Sequence, residues 1–489
     1  MSTIIDRLAA FATETRFDDL PADVLAETKR VLLDSVGCAL AGIDELKGRI
    51  GIEYGRLLGG KDPSATIIGA GERTSIFGAA FANSELINAL DYDVILPPGH
   101  VSPYVLPPAL AVGESKGVSG RDLIVACAIA HEISFRIGKA MDYLRDIKDG
   151  KIDVPPVYGF ASTIFGATAA AARLRGLPRE VLANALGIAG NISTVNPHVA
   201  WMQHAPTTTI KYLLGGHVAQ SALTASFMAE LGHRGDSQML DDREYGYPRL
   251  IGTKRWESER ITDGIGKEWG FASALSYKPY PHCRNQHALF GAMTKVLEEN
   301  DIKVEEIDGI HAWVEAFMDR PCWLNQVIEY PHDAQFSIAH GIALAAHRVP
   351  PGKAWTDPAL VFSPSVMALM KKVTHQAHPD YVRLRALHPA SQPAHVEIKA
   401  RGRTFIGERS FPKGSRSPDP STYMTDDEIV AKFAGNASHV LTRAAIDEIV
   451  DTFMNLERSG NVQAVMRKLW PESADNPQDR EHERVAETD

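Results

Sequence analysis

Cysteine is scarce: Cys38, Cys127, Cys283 and Cys322 are the only thiols in 489 residues. They stand far apart and form no C-x-x-C pair, which argues against a disulfide framework and a thiolate zinc site. Their spacing is not that of a ferredoxin, so an iron–sulfur cluster is not expected. Buried free thiols in a reducing cytoplasm are the expectation. Long apolar runs are also missing. The least polar long stretch, 212–231, contains Gly215, Gly216, His217, Gln220 and Glu230. It reads as a closely packed helix, not a membrane span. The N-terminal MSTIIDRLAAF carries charge early and has no apolar h-region, so no signal peptide is read there. Basic excess is absent too. With 51 basic and 61 acidic residues the net charge is −10. That excludes the broad basic footprint a nucleic-acid partner needs, but leaves room for a local basic pocket. There is no G-x-S-x-G elbow, Walker A loop, H-E-x-x-H pair or convincing dinucleotide fingerprint.

What the chain has in quantity is apolar and small residues at helical spacing. Its hydrophobic fraction is 44%, enough for a large core in two or three domains. Helices are expected through the first 45 residues, over 75–95, from Pro107 through PALAVGESK, over 122–137 and over 162–174, and the chain stays helix-rich to 235. A charged, Gly-rich connection follows at 236–275. The texture then changes. Residues 308–316 alternate like a strand, and 395–405 read as strand, Arg-Gly turn, strand. Helical patterns at 334–347 and 364–372 lie between them. From Thr425 the chain is helical again, with a Thr425/Glu428 capping box. The expected organisation is a helical domain from 1–273 and 412–470, an α+β domain at 274–411, and a polar disordered tail at 471–489.

Three segments put polar groups into apolar or Pro/Gly-rich surroundings. In NALDYDVILPPGH, Asp91 and Asp93 end a helical pattern and His100 sits in a proline-stiffened turn. A carboxylate beside an imidazole orients the ring and sets its proton affinity; helix capping by the two Asp is the plainer alternative. In HAPTTTIKYLLGGH, Lys211 opens an apolar helix. A partly desolvated ammonium attracts an anion there, although a snorkelling lysine fits the same pattern. In YKPYPHCRNQH, Lys278, His282, Arg284 and His287 crowd into ten residues with two prolines, which suits a carboxylate clamp. A zinc site on His282, Cys283 and His287 lacks a fourth partner at normal spacing.

In order and spacing, these segments resemble the MmgE/PrpD family. The likeness runs over roughly residues 5–465. It includes LLDSVGCALAG, the Asp91–His100 loop followed by LPPALAVGE, FGATAAAARLRGL, HAPTTTIK, KPYPHCRNQH, AQFSIAHGIALA and SFPKGS…DEIVAKF. The resemblance implies a large all-helical domain built from both chain ends with a smaller α+β domain inserted. It also implies a homodimer and an enzyme that needs no cofactor. The family includes 2-methylcitrate dehydratases, cis-aconitate decarboxylases and an iminodisuccinate epimerase. By resemblance the catalytic positions are Asp91, His100, Lys211 and Lys278. Asn88 stands where the family usually has His, and Val94 and Ile95 stand where a Thr is common. Val157 or Tyr158 stands where a second His falls. These departures make the pocket less polar.

The chemistry implied is proton movement next to a carboxylate. The developing enolate needs cationic or hydrogen-bonding stabilisation. Lys211 and Lys278 are the candidates for that role. His100 is the candidate acid or base, with Asp91 as its partner or a second base. Asp93, His282, Arg284, His287 and Tyr158 are expected to bind substrate, and no metal is expected. A dehydratase-type lyase on a small hydroxy di- or tricarboxylic acid is the leading expectation. An epimerase or decarboxylase, or a non-catalytic carboxylate-binding protein, are the alternatives.

Overall fold

The computed structural model describes residues 2–471 except 144, 156 and 212, and the expected tail at 472–489 lies outside it. The helical body follows from apolar residues recurring on more than one face. In the helix Gly120–Ala140, Ser119 caps the first turn by accepting from the Asp122 N–H, and nearly every residue is buried. Such a helix belongs inside a bundle, and it packs against Thr163–Leu174 and Ser102–Lys116. Ala22–Ala41, Ile76–Ile87 and Gly215–Glu230 complete the surroundings of this core.

The smaller part is α+β. Its four-stranded sheet has the order Arg403–Arg409, Ala394–Ala400, Ile307–Val314, Val373–Ala377; only the last pair is parallel. The expected hairpin is present, with Arg401 (φ +54°) and Gly402 (φ +65°) at its turn. Both positive φ values suit a two-residue hairpin connection. His287–Glu299 packs on this sheet.

The chain ends meet. Asp426–Ala437, capped by Thr425 and Glu428, lies on Ala22–Ala41, and Val462–Arg467 lies on Ser102–Lys116. Lys432 reaches from this returning helix to the loop that carries both site aspartates. Its ammonium donates to the Tyr92 carbonyl at 2.8 Å, pairs with Asp34 at 2.7 Å and lies 3.8 Å over the Tyr92 ring. Among the described residues no helix is long and apolar enough to cross a membrane.

Three sequence expectations are corrected. The helix expected over 75–95 stops at Ile87, and residues 88–94 form a loop. The helix expected from Pro107 begins at Ser102, because Pro103 falls in its first turn, where no intrahelical N–H is required. Lys211 does not open a helix; it precedes one that starts at Gly215.

Candidate active site

Asp91 stands at φ +53° in the loop after Ile76–Ile87. Aspartate tolerates this left-handed conformation better than most residues. Its carboxylate is fully buried and faces two ammonium groups and an imidazole: Lys278 Nζ at 2.6 Å, Lys211 Nζ at 3.6 Å and His100 Nε2 at 3.5 Å. Residues far apart in sequence thus converge on one carboxylate. Burial alone would raise the Asp91 proton affinity, but Lys278, Lys211 and His100 outweigh it and hold the carboxyl far below its usual range.

Backbone bonds fix this convergence. Ile95 and Ser276 exchange N–H···O bonds of 2.9 Å each, and the Tyr277 N–H donates to the Gly414 carbonyl at 2.9 Å. Gly414 is required there: its φ is +91°, and a Cβ would fall 2.0 Å from the Tyr277 carbonyl oxygen. Lys278 is thereby held under Asp91. Arg136 pairs with Glu132 at 2.6 Å, and Glu132 accepts from the Gly270 and Phe271 N–H groups, which anchors the segment leading in.

The nearest partner of His100 is Asp93, not Asp91. His100 Nδ1 lies 2.6 Å from Asp93 Oδ2. An ionised carboxylate only accepts, so Nδ1 carries the proton and Nε2 is the working edge. Burial would raise the Asp93 proton affinity, but His100 and Lys278 lower it overall. Asn88 donates to Asp93 Oδ1 at 2.9 Å and accepts from Lys47 at 2.9 Å. These two bonds fix which way the Asn88 amide points. Lys211 donates to Gln335 at 3.2 Å. Burial depresses its ammonium, Asp91 restores part of the loss, and the result is about 8.

Asp91 and His100 border a cavity of about 70 Å³ walled by Tyr158, Phe160, Trp201, Phe317 and Phe336, with Arg284 and Arg145 on one side. Gly99 allows the close wall, since a Cβ there would lie 1.8 Å from a Phe160 ring carbon. Arg284 donates to the Ser276 and Ser415 hydroxyls and the Lys413 carbonyl, and burial followed by Arg145 pulls its guanidinium down to about 9.

The expected site residues therefore separate into groups. Asp91, His100, Arg284 and Tyr158 border the cavity, while Lys211, Lys278 and Asp93 stand behind Asp91 and His100. His282 and His287 do not reach the cavity. The His282 ring packs edge-on to Phe290 at 5.0 Å, and His287 Nε2 is spent on the His282 carbonyl at 2.9 Å. Burial depresses both imidazoles. Lys47, Gln335 and Arg145 were missed because no local pattern marks them. They lie 41, 124 and 139 residues from Asn88, Lys211 and Arg284 respectively. Among the described residues, no three His, Cys, Asp or Glu side chains group so as to hold a metal ion.

A helix-rich body with an α+β companion and a buried acid–imidazole–ammonium centre define the class of fold. The chain belongs to the MmgE/PrpD family: residues 6–259 match its N-terminal domain and residues 280–456 its C-terminal domain. A cis-aconitate decarboxylase-like protein, oryM, of Aspergillus oryzae is 26% identical, over 94% of this chain and 95% of that protein. The cis-aconitate decarboxylase of Aspergillus terreus is 24% identical over 96% of both chains. The human cis-aconitate decarboxylase is 25% identical, over 94% of this chain and 92% of its own length.

Proposed function

We propose that this protein is a cofactor-independent lyase that moves a proton at the carbon next to a carboxylate in a small unsaturated or hydroxy polycarboxylic acid. The observation that carries this reading is the His100 imidazole, pinned by Asp93 on one nitrogen and turned by the other toward Asp91 and the aromatic cavity. Loss of carbon dioxide leaves an electron pair on carbon that must take up a proton; in this reading His100 starts as the imidazolium, gives its Nε2 proton to that carbon and is left as the Nδ1–H tautomer held by Asp93. Arg284 faces the same cavity with neutral hydrogen-bond partners only, which suits it to dock a substrate carboxylate. Lys211 and Lys278 keep Asp91 ionised, and through it the site's negative charge stays fixed. Tyr158 supplies cavity wall, and its burial keeps the phenol protonated.

Decarboxylation takes precedence over the dehydration expected from sequence, because the similar full-length enzymes are cis-aconitate decarboxylases. Dehydration is the second reading: an imidazolium between two carboxylates can also protonate a leaving hydroxyl. Of the positions that depart from the family pattern, Ile95 and Tyr158 line the cavity and Asn88 does not. Asn88 is absorbed by Lys47 and Asp93, and Ile95 offers no hydrogen bond from its side chain. The test is product analysis on a panel of small di- and tricarboxylic acids in deuterated water. Carbon dioxide release supports the first reading and water loss the second. A panel giving no product and no deuterium uptake into any acid would sink both.

A further inference from the structure

Across Arg284 from the reaction cavity lies a larger cleft of about 630 Å³. Ile95, Tyr143, Arg145 and Arg284 border both spaces, so these four side chains form the partition between them. The cleft's charge is unlike that of the chain as a whole. In a protein of net charge −10, seven cationic side chains line it against one carboxylate, Asp146.

Four of the seven are neutralised by a carboxylate. Arg145 pairs with Glu315 at 3.1 Å and Arg255 with Asp146 at 3.2 Å. Arg416 pairs with Glu27 at 2.6 Å, and Arg260 is paired with Glu257. The other three, Lys139, Arg284 and Arg385, have no carboxylate within ion-pair reach among the described residues. They come from separate parts of the chain: the end of the helix Gly120–Ala140, the turn before His287–Glu299, and the helix Tyr381–Leu387. The cations also strain one another. Burial followed by Arg260 and Arg255 makes the Lys139 ammonium less favourable, and burial followed by Arg145 does the same for Arg385. Folding that gathers uncompensated cations around one concave space leaves a repulsion that only an anion relieves.

We propose that this cleft is a second binding site, for a small multiply charged anion, held by Lys139, Arg284 and Arg385 beside the reaction cavity. Its shared ligand chemistry is clustered carboxylate or phosphate oxygen. Arg284 is shared with the reaction cavity, but Lys139 and Arg385 border the cleft alone, so the site survives a failure of the lyase reading.

The experiment is calorimetric titration of the full-length protein at low ionic strength with tricarballylate, which has no leaving group, and separately with pyrophosphate. Three proteins are compared: wild type, the double variant Lys139→Ala/Arg385→Ala, and His100→Ala. Neither Lys139 nor Arg385 holds a carboxylate, and Arg385 gives up only a long 3.5 Å bond to the Ser391 carbonyl, so their removal strands no buried charge, and an unchanged melting temperature checks the fold. The expected result is at least a tenfold weaker Kd in the double variant, with His100→Ala binding as wild type does. Added salt should weaken wild-type binding more steeply than that of the double variant. The two sources separate in turnover. If the substrate occupies the cleft, the double variant loses kcat/KM while keeping kcat. If a phosphorylated molecule does, pyrophosphate binds tighter than tricarballylate and kcat/KM is unchanged. Equal affinity of the wild type and the double variant for both probes, or no binding of either, would overturn the proposal.

Discussion

Two charged regions meet at Arg284, and they are balanced in opposite ways. Around Asp91 two ammonium groups and an imidazole surround one carboxylate, and a second carboxylate holds the imidazole from behind. All of these groups are buried. Across the partition, cations outnumber carboxylates around an open cleft. Desolvated charge is tolerated only with partners at hand, so the inner centre is complete before substrate arrives. The outer cleft stays near water and can leave charge unmatched until a ligand supplies it. Preorganisation inside and unsatisfied charge outside are the arrangements that proton transfer and anion capture respectively require.

The largest test of this contrast is His100→Ala. A positioned acid or base contributes about 10²–10⁴-fold, so kcat on the best acid of the panel should fall by that range with the melting temperature nearly unchanged. Full activity in that variant would remove His100 from the mechanism. Next is Asp91→Asn, which strands the fully buried Lys278 ammonium. Leaving such a charge uncompensated costs about 3–5 kcal/mol, read from denaturant unfolding. Arg416→Ala at the cleft rim breaks a partly exposed pair and should cost no more than about 1 kcal/mol. Equal costs would erase the distinction between the two regions. Asn88→Ala removes the donor to Asp93 and the acceptor for Lys47. A loss of about 1–3 kcal/mol is expected from the groups left unsatisfied, and the pH–rate profile should shift as Asp93 loses its orientation.

The smallest effect is a pH dependence. The Lys211 ammonium is held down to about 8, while its ordinary value is 10.5. Between those values the unfolded chain keeps a proton that the folded one has released, so the Lys211 contribution to stability rises with pH across that window. The difference in melting temperature between wild type and Lys211→Met should grow in favour of wild type from pH 8 upward. A flat difference would show that Lys211 is not desolvated.

Much of this was legible in the residues. Helical periodicity marked the body, the Arg401–Gly402 turn marked the hairpin, and the Thr425/Glu428 box marked the returning helix. The Pro-rich segments around His100 and Lys278 pointed to two walls of the site. The reach of Lys278 to Asp91, 187 positions away, has no local signature, and its expectation came from resemblance. Local pattern also misled. The run from 75 to 95 is apolar throughout, and nothing in it announces that the helix stops at Ile87 so that Asp91 can turn left-handed. The closer hold of Asp93 on His100 follows from that loop. His282 and His287 look like ligands by composition. They were lost to the core: the His282 ring packs on Phe290, and His287, just past the short turn Arg284–Gln286, faces the His282 carbonyl.

The clamp of Lys432 on Tyr92 carries a consequence for synthesis. Tyr92 stands between the two site aspartates, and the residue that grips it is translated 340 positions later. A nascent chain leaving the ribosome exposes the Asp91 loop long before that grip exists, and Lys278 also arrives only after more than half the protein has been made. The centre can therefore be assembled only near the end of translation. A product truncated by a premature stop codon before Asp426 would carry every one of the proposed site residues and still leave their loop unclamped.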